Sequence, residues 1–462
     1  MKDARGGGAW PAPAIAAYRA RLGQRVPLSF GQYRLWYLQQ LYRDDVMYNL
    51  PHCFRVDGPL DLDVLRRALC LLTERHEPLR TRVLATAQGV PFQHVEQEPR
   101  VDFESADMNQ PTEQATAAVD RLVQAVALTP FELHRAPLLR TRCYRVGADA
   151  WILLFVQHHI STDHFSWAPF FAELGAAYTA MQAGAAPALP PLPLRYGDFS
   201  IRQWRELPEG KIEQAQAYWR HFFPPDVSAL RRAGPDPDAS SAAPVRYGLH
   251  GQSFSSAVVG PCQKAATGQG RTLFAVVLTA IVLLVHKLYG DPRVLVCFAT
   301  ANRRSPEVKP LIGCFFTNII LQLDAGAHDD LAIMLRHVGD EMARTWQLQT
   351  LPFELFAGDL GLAATAQRRP PYSVYVSYRN APMNTELRLP GVRILPIEVG
   401  TGRNTREDIV FDFWEGDSQG RPSLDLKWHY RTDRFTSRAV AEASSYLDSL
   451  LHRFGTDVVA RS

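Results

Sequence analysis

Apolar side chains recur at Leu62, Leu65, Leu69 and Leu72, three or four residues apart, and the stripe runs into Glu74-Arg75-His76-Glu77 before Pro78. That spacing predicts an amphipathic helix leading into a strand. Residues 151–156 are continuously apolar with no helical stripe, bounded by Gly147-Ala148-Asp149 and by the polar Gln157, which predicts a buried strand. This strand delivers two adjacent histidines, His158 and His159. Beyond Asp163, the positions Trp167, Phe170, Phe171, Leu174, Tyr178 and Met181 return to helical spacing, with Gly184 as a stop. The histidines and the aspartate are thus expected on a strand-to-helix turn, at the open end of a sheet, where functional side chains commonly sit.

The second half of the chain alternates in the same loose way. A buried helix is expected over residues 272–289, a strand over 294–299 and a final helix over 437–454. Between the halves, residues 185–193 carry four prolines and read as an extended connector, and residues 234–244 form a second loose stretch. The expected division is a flexible leader (1–24), a first subdomain (25–190), a connector (191–235) and a second subdomain (236–462). Strands and helices alternate without the strict rhythm of a doubly wound fold, so the expected class is α/β with mixed sheets.

Bulk properties narrow the class further. At 462 residues the chain exceeds the size at which one hydrophobic core stops growing, so two core-bearing units are expected. Fifty basic and 47 acidic side chains leave a net charge of +3, which points to no nucleic-acid partner. The most apolar stretch, residues 273–285, is too short to cross a bilayer, and the N-terminus has no apolar run of a signal peptide. Six scattered cysteines show no metal-ligand spacing and fit reduced thiols of a cytoplasmic protein. No membrane, metal or bound cofactor is expected, and a monomer is.

The candidate chemistry lies in His158-His159-Ile160-Ser161-Thr162-Asp163. An imidazole, with a pKa near 6.5, is suited to accept a proton from an amine or hydroxyl at neutral pH. Strand alternation would turn the two histidines to opposite sides. Taken alone, the run reads more readily as a polar strand end than as a catalytic site. A metal site would need a third ligand, and no G-x-S-x-G elbow surrounds Ser161.

The run resembles the HHxxxDG signature of the condensation domains of nonribosomal peptide synthetases and their acyltransferase relatives. Other stretches resemble further motifs of that family in the same order: Leu28-Ser29-Phe30-Gly31-Gln32-Tyr33-Arg34-Leu35-Trp36, Arg75-His76-Glu77-Pro78-Leu79-Arg80-Thr81, and Tyr196-Gly197-Asp198-Phe199 with Trp204. Ile312-Gly313-Cys314-Phe315-Phe316-Thr317-Asn318, Leu351-Pro352-Phe353-Glu354 and a degenerate Tyr378-Arg379-Asn380 with Pro382 complete the set.

The resemblance implies a V-shaped pseudo-dimer of two chloramphenicol-acetyltransferase-like subdomains, with a tunnel where they meet. It implies a free-standing condensation enzyme that moves an acyl group from phosphopantetheine on a partner carrier protein to an amine or hydroxyl. The acceptor would be a small molecule or carrier-bound, and chain release as amide or ester is included. Alternatives of the same fold are an acyltransferase using coenzyme A thioesters and a non-catalytic module that recruits a tailoring enzyme.

His159 would be the catalytic residue, taking the nucleophile's proton or positioning it and stabilising the tetrahedral intermediate. His158 would be structural. Asp163 would form a buried pair with Arg303, whose rupture should cost about 3–5 kcal/mol. Asn318 and Ser377 would place polar side chains near the reaction, whereas Arg75, His76, Glu77, Arg34 and Trp36 read as structure. One position departs from the pattern: His164 stands where the family has glycine. A left-handed backbone there would cost histidine about 1–2 kcal/mol. Its side chain is expected either to point outward or to enter the acceptor channel as a third titratable ring.

Overall fold

The computed structural model describes residues 25–108, 112–223, 246–357, 360, 372–380, 386–399, 406–417 and 420–458. The leader, the 234–244 stretch and Pro382 lie outside the described residues. In chain order the first half contributes β1 (Val26–Pro27), β2 (Asn49–Asp57), β3 (Thr81–Ala85), β4 (Pro91–Val95), β5 (Asp102–Asp107), β6 (Leu139–Gly147) and β7 (Ala150–His158). The second half contributes β8 (Tyr247–Phe254), β9 (Arg293–Thr300), β10 (Thr317–Asp324), β11 (Val374–Arg379), β12 (Arg393–Ile397), β13 (Ile409–Asp417) and β14 (Pro422–Arg431).

These strands form two large mixed sheets and one small one. The first large sheet has the order β12-β2-β7-β6-β5, the second β10-β9-β11-β13-β14-β8, and β1-β4-β3 make the third. β5 runs parallel to β6, and β11 runs parallel to both β9 and β13, while the remaining pairs are antiparallel.

Within β7, residues 151–156 are continuously apolar because the strand is buried on both faces of a central position. Leu153 and Phe155 pack among the helices Leu62–Arg75 and Trp167–Gln182. Ile152, Leu154 and Val156 face a second core containing Phe131 and Tyr144. Asp61 starts the first of these helices by accepting the Asp63 and Val64 amides, and the chain leaves it through the short turn Glu77–Arg80 into β3. In the second half, the helix Leu273–Tyr289 is buried along most of its length against one face of the six-stranded sheet. Thr272 caps its start and left-handed Gly290 its end.

Two features depart from the division read in the sequence. The expected connector, 191–235, holds the helices Tyr196–Arg205 and Lys211–Phe222, which bury Trp204 and Trp219. β12, far into the second half, adds itself to the edge of the first half's sheet along β2. Leu387 and Leu389, just before it, sit in the first half's core. Gly175 admits this segment, since a Cβ there would come within 2.5 Å of the Arg388 carbonyl oxygen. The halves are therefore joined by shared sheet as well as by contact.

Candidate active site

β7 ends at His158, and His159–Ser161 form a single turn of 3-10 helix. The contrast between the histidines comes from this break, not from strand alternation. His158 is fully buried between Tyr48 and Phe131, and its Nδ1 accepts the Ile160 amide at 3.1 Å. Its proton is therefore on Nε2. Burial, with His159 and Arg140 nearby, pulls its pKa down to about 3.

His159 is oriented differently. Its Nδ1–H donates to the Thr162 carbonyl at 2.8 Å, its amide donates to the Tyr48 carbonyl at 2.8 Å, and its ring stacks on Phe316 at 4.2 Å. A carbonyl only accepts, so Nδ1 carries the proton and Nε2 keeps a lone pair. Burial lowers the His159 pKa, opposed by the Thr162 hydrogen bond and by Asp163. At neutral pH the ring is a neutral base.

Asp163 caps the next turn and ties the halves together. One oxygen accepts the Ser166 amide at 2.9 Å and the Ser166 hydroxyl at 2.8 Å. Arg303 donates to both carboxylate oxygens, at 2.8 and 3.3 Å, and the Phe315 amide donates to the second at 3.2 Å. The remaining guanidinium nitrogen reaches the carbonyls of Val308 and Leu311, and the group lies 4.1 Å over the Phe315 ring. Both charges are almost wholly buried, but every lone pair named here has a donor, which offsets the desolvation. Asn302, beside Arg303, holds a left-handed conformation with φ of 50°. Asparagine tolerates that better than most residues.

A cavity of about 500 Å³ opens between the halves. His159, His52 and His164 line it from the first half. From the second come Asn318, Tyr375, Ser377, Arg379, Val410 and Asp412. The period of two explains this second set. Val374, Val376, Phe411 and Phe413 point into the core around the helix Leu273–Tyr289, so Tyr375, Ser377 and Arg379 on β11 and Val410 and Asp412 on β13 point to the other face. The register pairs Ser377 with Asp412 and Tyr375 with Val410. The Tyr375 hydroxyl donates to Asn318 Oδ1 at 3.5 Å.

All the residues proposed from the sequence for the site thus meet around one cavity, apart from His158 and Arg303, which support its wall. His164 is not left-handed: His164–Ser166 form a second 3-10 turn, so the strain considered for a glycine replacement is absent. Nor does its side chain point outward, because it lines the cavity. Burial, then Arg379, His52 and His159, pull its pKa down to about 3 against the opposing pull of Asp412. His52, Asp412 and Tyr48 were missed.

The sequence motifs serve as knots around this cavity. Arg75 and His76 both bind Glu173, at 2.9 and 2.7 Å, and Arg75 also donates to the Pro190 carbonyl. Glu77 accepts the Gly197 amide at 3.1 Å. Tyr196 joins Ser29 and the Cys314 carbonyl, at 2.9 and 2.6 Å, and Arg34 pairs with Glu354 at 3.0 Å inside the core. Gly313 is required by packing, since a Cβ there would lie 2.2 Å from the Tyr196 ring.

An α/β pseudo-dimer with a histidine-bearing turn at a cavity between its halves defines the class. The family model described as "Condensation domain" matches residues 23–459, and the chain belongs to that family, whose members are acyltransferases that form amide bonds. The chain is 31% identical to the isonitrile lipopeptide synthase of Mycobacterium tuberculosis and 30% identical to one of the linear gramicidin synthase proteins of Brevibacillus parabrevis. Each match covers 93% of this chain, but only 17% and 6% of those much longer proteins. Among solved structures, the X-domain from teicoplanin biosynthesis superposes with a TM-score of 0.77 at 24% identity, covering 94% of this chain and 96% of that one. The first condensation domain of the calcium-dependent antibiotic synthetase, with a substrate analogue, gives 0.68 at 19% identity, covering 94% and 97%. The fold is the two-subdomain condensation fold expected from the motifs.

Proposed function

We propose that this chain catalyses acyl transfer from a carrier-protein phosphopantetheine thioester to an amine, in the assembly or release of a nonribosomal peptide or peptide–polyketide hybrid, in the cytoplasm. The amine nitrogen attacks the thioester carbonyl carbon, the C–N bond forms, and the carbonyl oxygen takes up negative charge. His159 Nε2 accepts the proton leaving the nitrogen. The C–S bond then breaks, and the proton passes to the departing thiolate. A hydroxyl acceptor would follow the same course and give an ester.

The observation that carries this reading is the fixed tautomer of His159, with Nδ1–H committed to the Thr162 carbonyl and the ring at the cavity between the halves. A neutral imidazole in that state is a base. The Asp163–Arg303 pair acts by holding the turn, its carboxylate being fully occupied by donors. The donor and acceptor enter from the two faces of the molecule.

The test is intact-protein mass spectrometry of an acyl-loaded carrier incubated with the protein and a panel of amines. The expected result is loss of the acyl mass from the carrier together with an amide product, far above the rate without protein. Equal transfer from the matching coenzyme A thioester would overturn the carrier requirement. Carrier deacylation without amide would overturn the condensation.

A further inference from the structure

Arg34 reads from the sequence as a structural residue, and Glu354 belongs to a motif to which the transfer step gives no role. Arg34 lies on the helix Phe30–Leu41, which Ser29 caps, and Glu354 sits 320 residues on in the short turn Phe353–Phe356. Arg34 Nε donates to Glu354 Oε1 at 3.0 Å, and the two residues are only 7% and 2% exposed. Such a pair is weak as a source of stability, because apolar side chains of similar volume commonly replace it without loss. Its place in the molecule is more telling. Arg34 lines the cavity together with His159. Its guanidinium carbon lies 6.0 Å from the centre of the Phe316 ring, and that ring stacks on His159 at 4.2 Å. Together these distances put the Arg34 charge no more than about 10 Å from the imidazole.

At that separation, with an effective permittivity of about 20, one charge moves the pKa of another group by about one unit. A cation disfavours the imidazolium that His159 becomes when it takes the proton of the nucleophile. The Glu354 carboxylate, in contact with the guanidinium, opposes that field. The remaining titratable groups around His159 are Asp163 and His164 on its own stretch, Tyr48 and His52 at β2, and Arg379, Glu407 and Asp412 in the second half's wall. Burial lowers the His159 pKa most, the Thr162 carbonyl and Asp163 oppose it, and Arg34 lowers it further.

We propose that Arg34 and Glu354 are positioning residues of the transfer reaction. Glu354 holds the guanidinium beside Phe316 and balances its charge, and the pair thereby sets the strength of His159 as a base. This rests on the reading of His159 as the base of acyl transfer. The proton still goes from the nucleophile to His159 Nε2, and neither Arg34 nor Glu354 exchanges one.

The experiment follows the acid limb of kcat/KM for transfer from a loaded carrier, together with the nitrogen-15 titration of the His159 ring in the same full-length proteins. The other groups around His159 are the same in every variant, so differences between the proteins report the pair. Arg34→Met should move both midpoints up by about one pH unit, and Glu354→Gln should move them down by a similar or smaller amount. The double variant Arg34→Met with Glu354→Gln should fall between the two, and Arg34→Lys and Glu354→Asp, which keep the charges, should stay near the parent protein. If Glu354→Gln does not fold, Arg34→Met against Arg34→Lys carries the test. A purely structural pair would lower activity in both single variants and leave the midpoints in place, and that result would overturn the proposal, as would equal midpoints in Arg34→Met and Arg34→Lys. Failure of the condensation reading looks different: the His159 titration shifts as expected while no acyl group leaves the carrier in any of the proteins.

Discussion

His158 and His159 differ because one ends a strand and the next begins a turn. His158 receives an amide on Nδ1 inside the core, whereas His159 donates from Nδ1 and leaves Nε2 as a base. Both are held neutral by burial, and the consequence for pH has a definite sign. Unfolded histidine protonates near 6.5. A folded pKa of about 3 for His158 means the unfolded chain binds more protons between pH 6.5 and 3. Stability is therefore full above pH 6.5 and falls as pH falls through that window. From pH 7 to 5, His158 alone should remove about 2 kcal/mol, and His52 and His164 act in the same direction. Urea unfolding at the two pH values checks this, and replacing His158 by Phe should flatten the slope even if the variant is less stable overall. For activity, the acid limb of kcat/KM should lie below 6.5, because burial lowers the His159 pKa. A limb above 6.5 would mean that His159 is stabilised as a cation.

At the scale of elements, the turn from His159 to Ser166 depends on a partner 140 residues away. Asp163→Ala should cost about 3–5 kcal/mol by leaving the Arg303 charge buried and unpaired, and Arg303→Ala a similar amount. The double variant should cost less than the sum, because each single change removes the same pair. Thermal melts of the three proteins measure this. The strand at residues 151–156, the helix after Asp163 and the buried helix at 272–289 were legible, because each writes its period in consecutive residues. The wall of the cavity was less so. Asn318 and Ser377 were reached only through the family motifs. Asp412 and His52 come from strands whose facing depends on register with partners distant in sequence, which local periodicity does not encode. The conformation at His164 was likewise invisible, since a glycine in a signature does not reveal whether the backbone needs it.

For the whole molecule, the motifs matter through what they connect. Ser29, Tyr196 and Cys314 belong to three motifs and form one hydrogen-bonded group, and Gly313 leaves room for the Tyr196 ring. Gly313→Ala should therefore destabilise by overpacking, by about 1–3 kcal/mol. It should also lower activity by shifting the Asp163 contact at the neighbouring Phe315 amide. β12, crossing to the other sheet, fixes the halves against each other, and the cavity between them inherits that geometry. The most direct measurement of the central claim is the single-turnover rate of acyl loss from a loaded carrier to an amine, compared between the protein and His159→Ala. The expected result is a fall of about 10²- to 10⁴-fold in the variant, the range of one general base, with the melting temperature and carrier binding little changed. An unchanged rate in His159→Ala would contradict it.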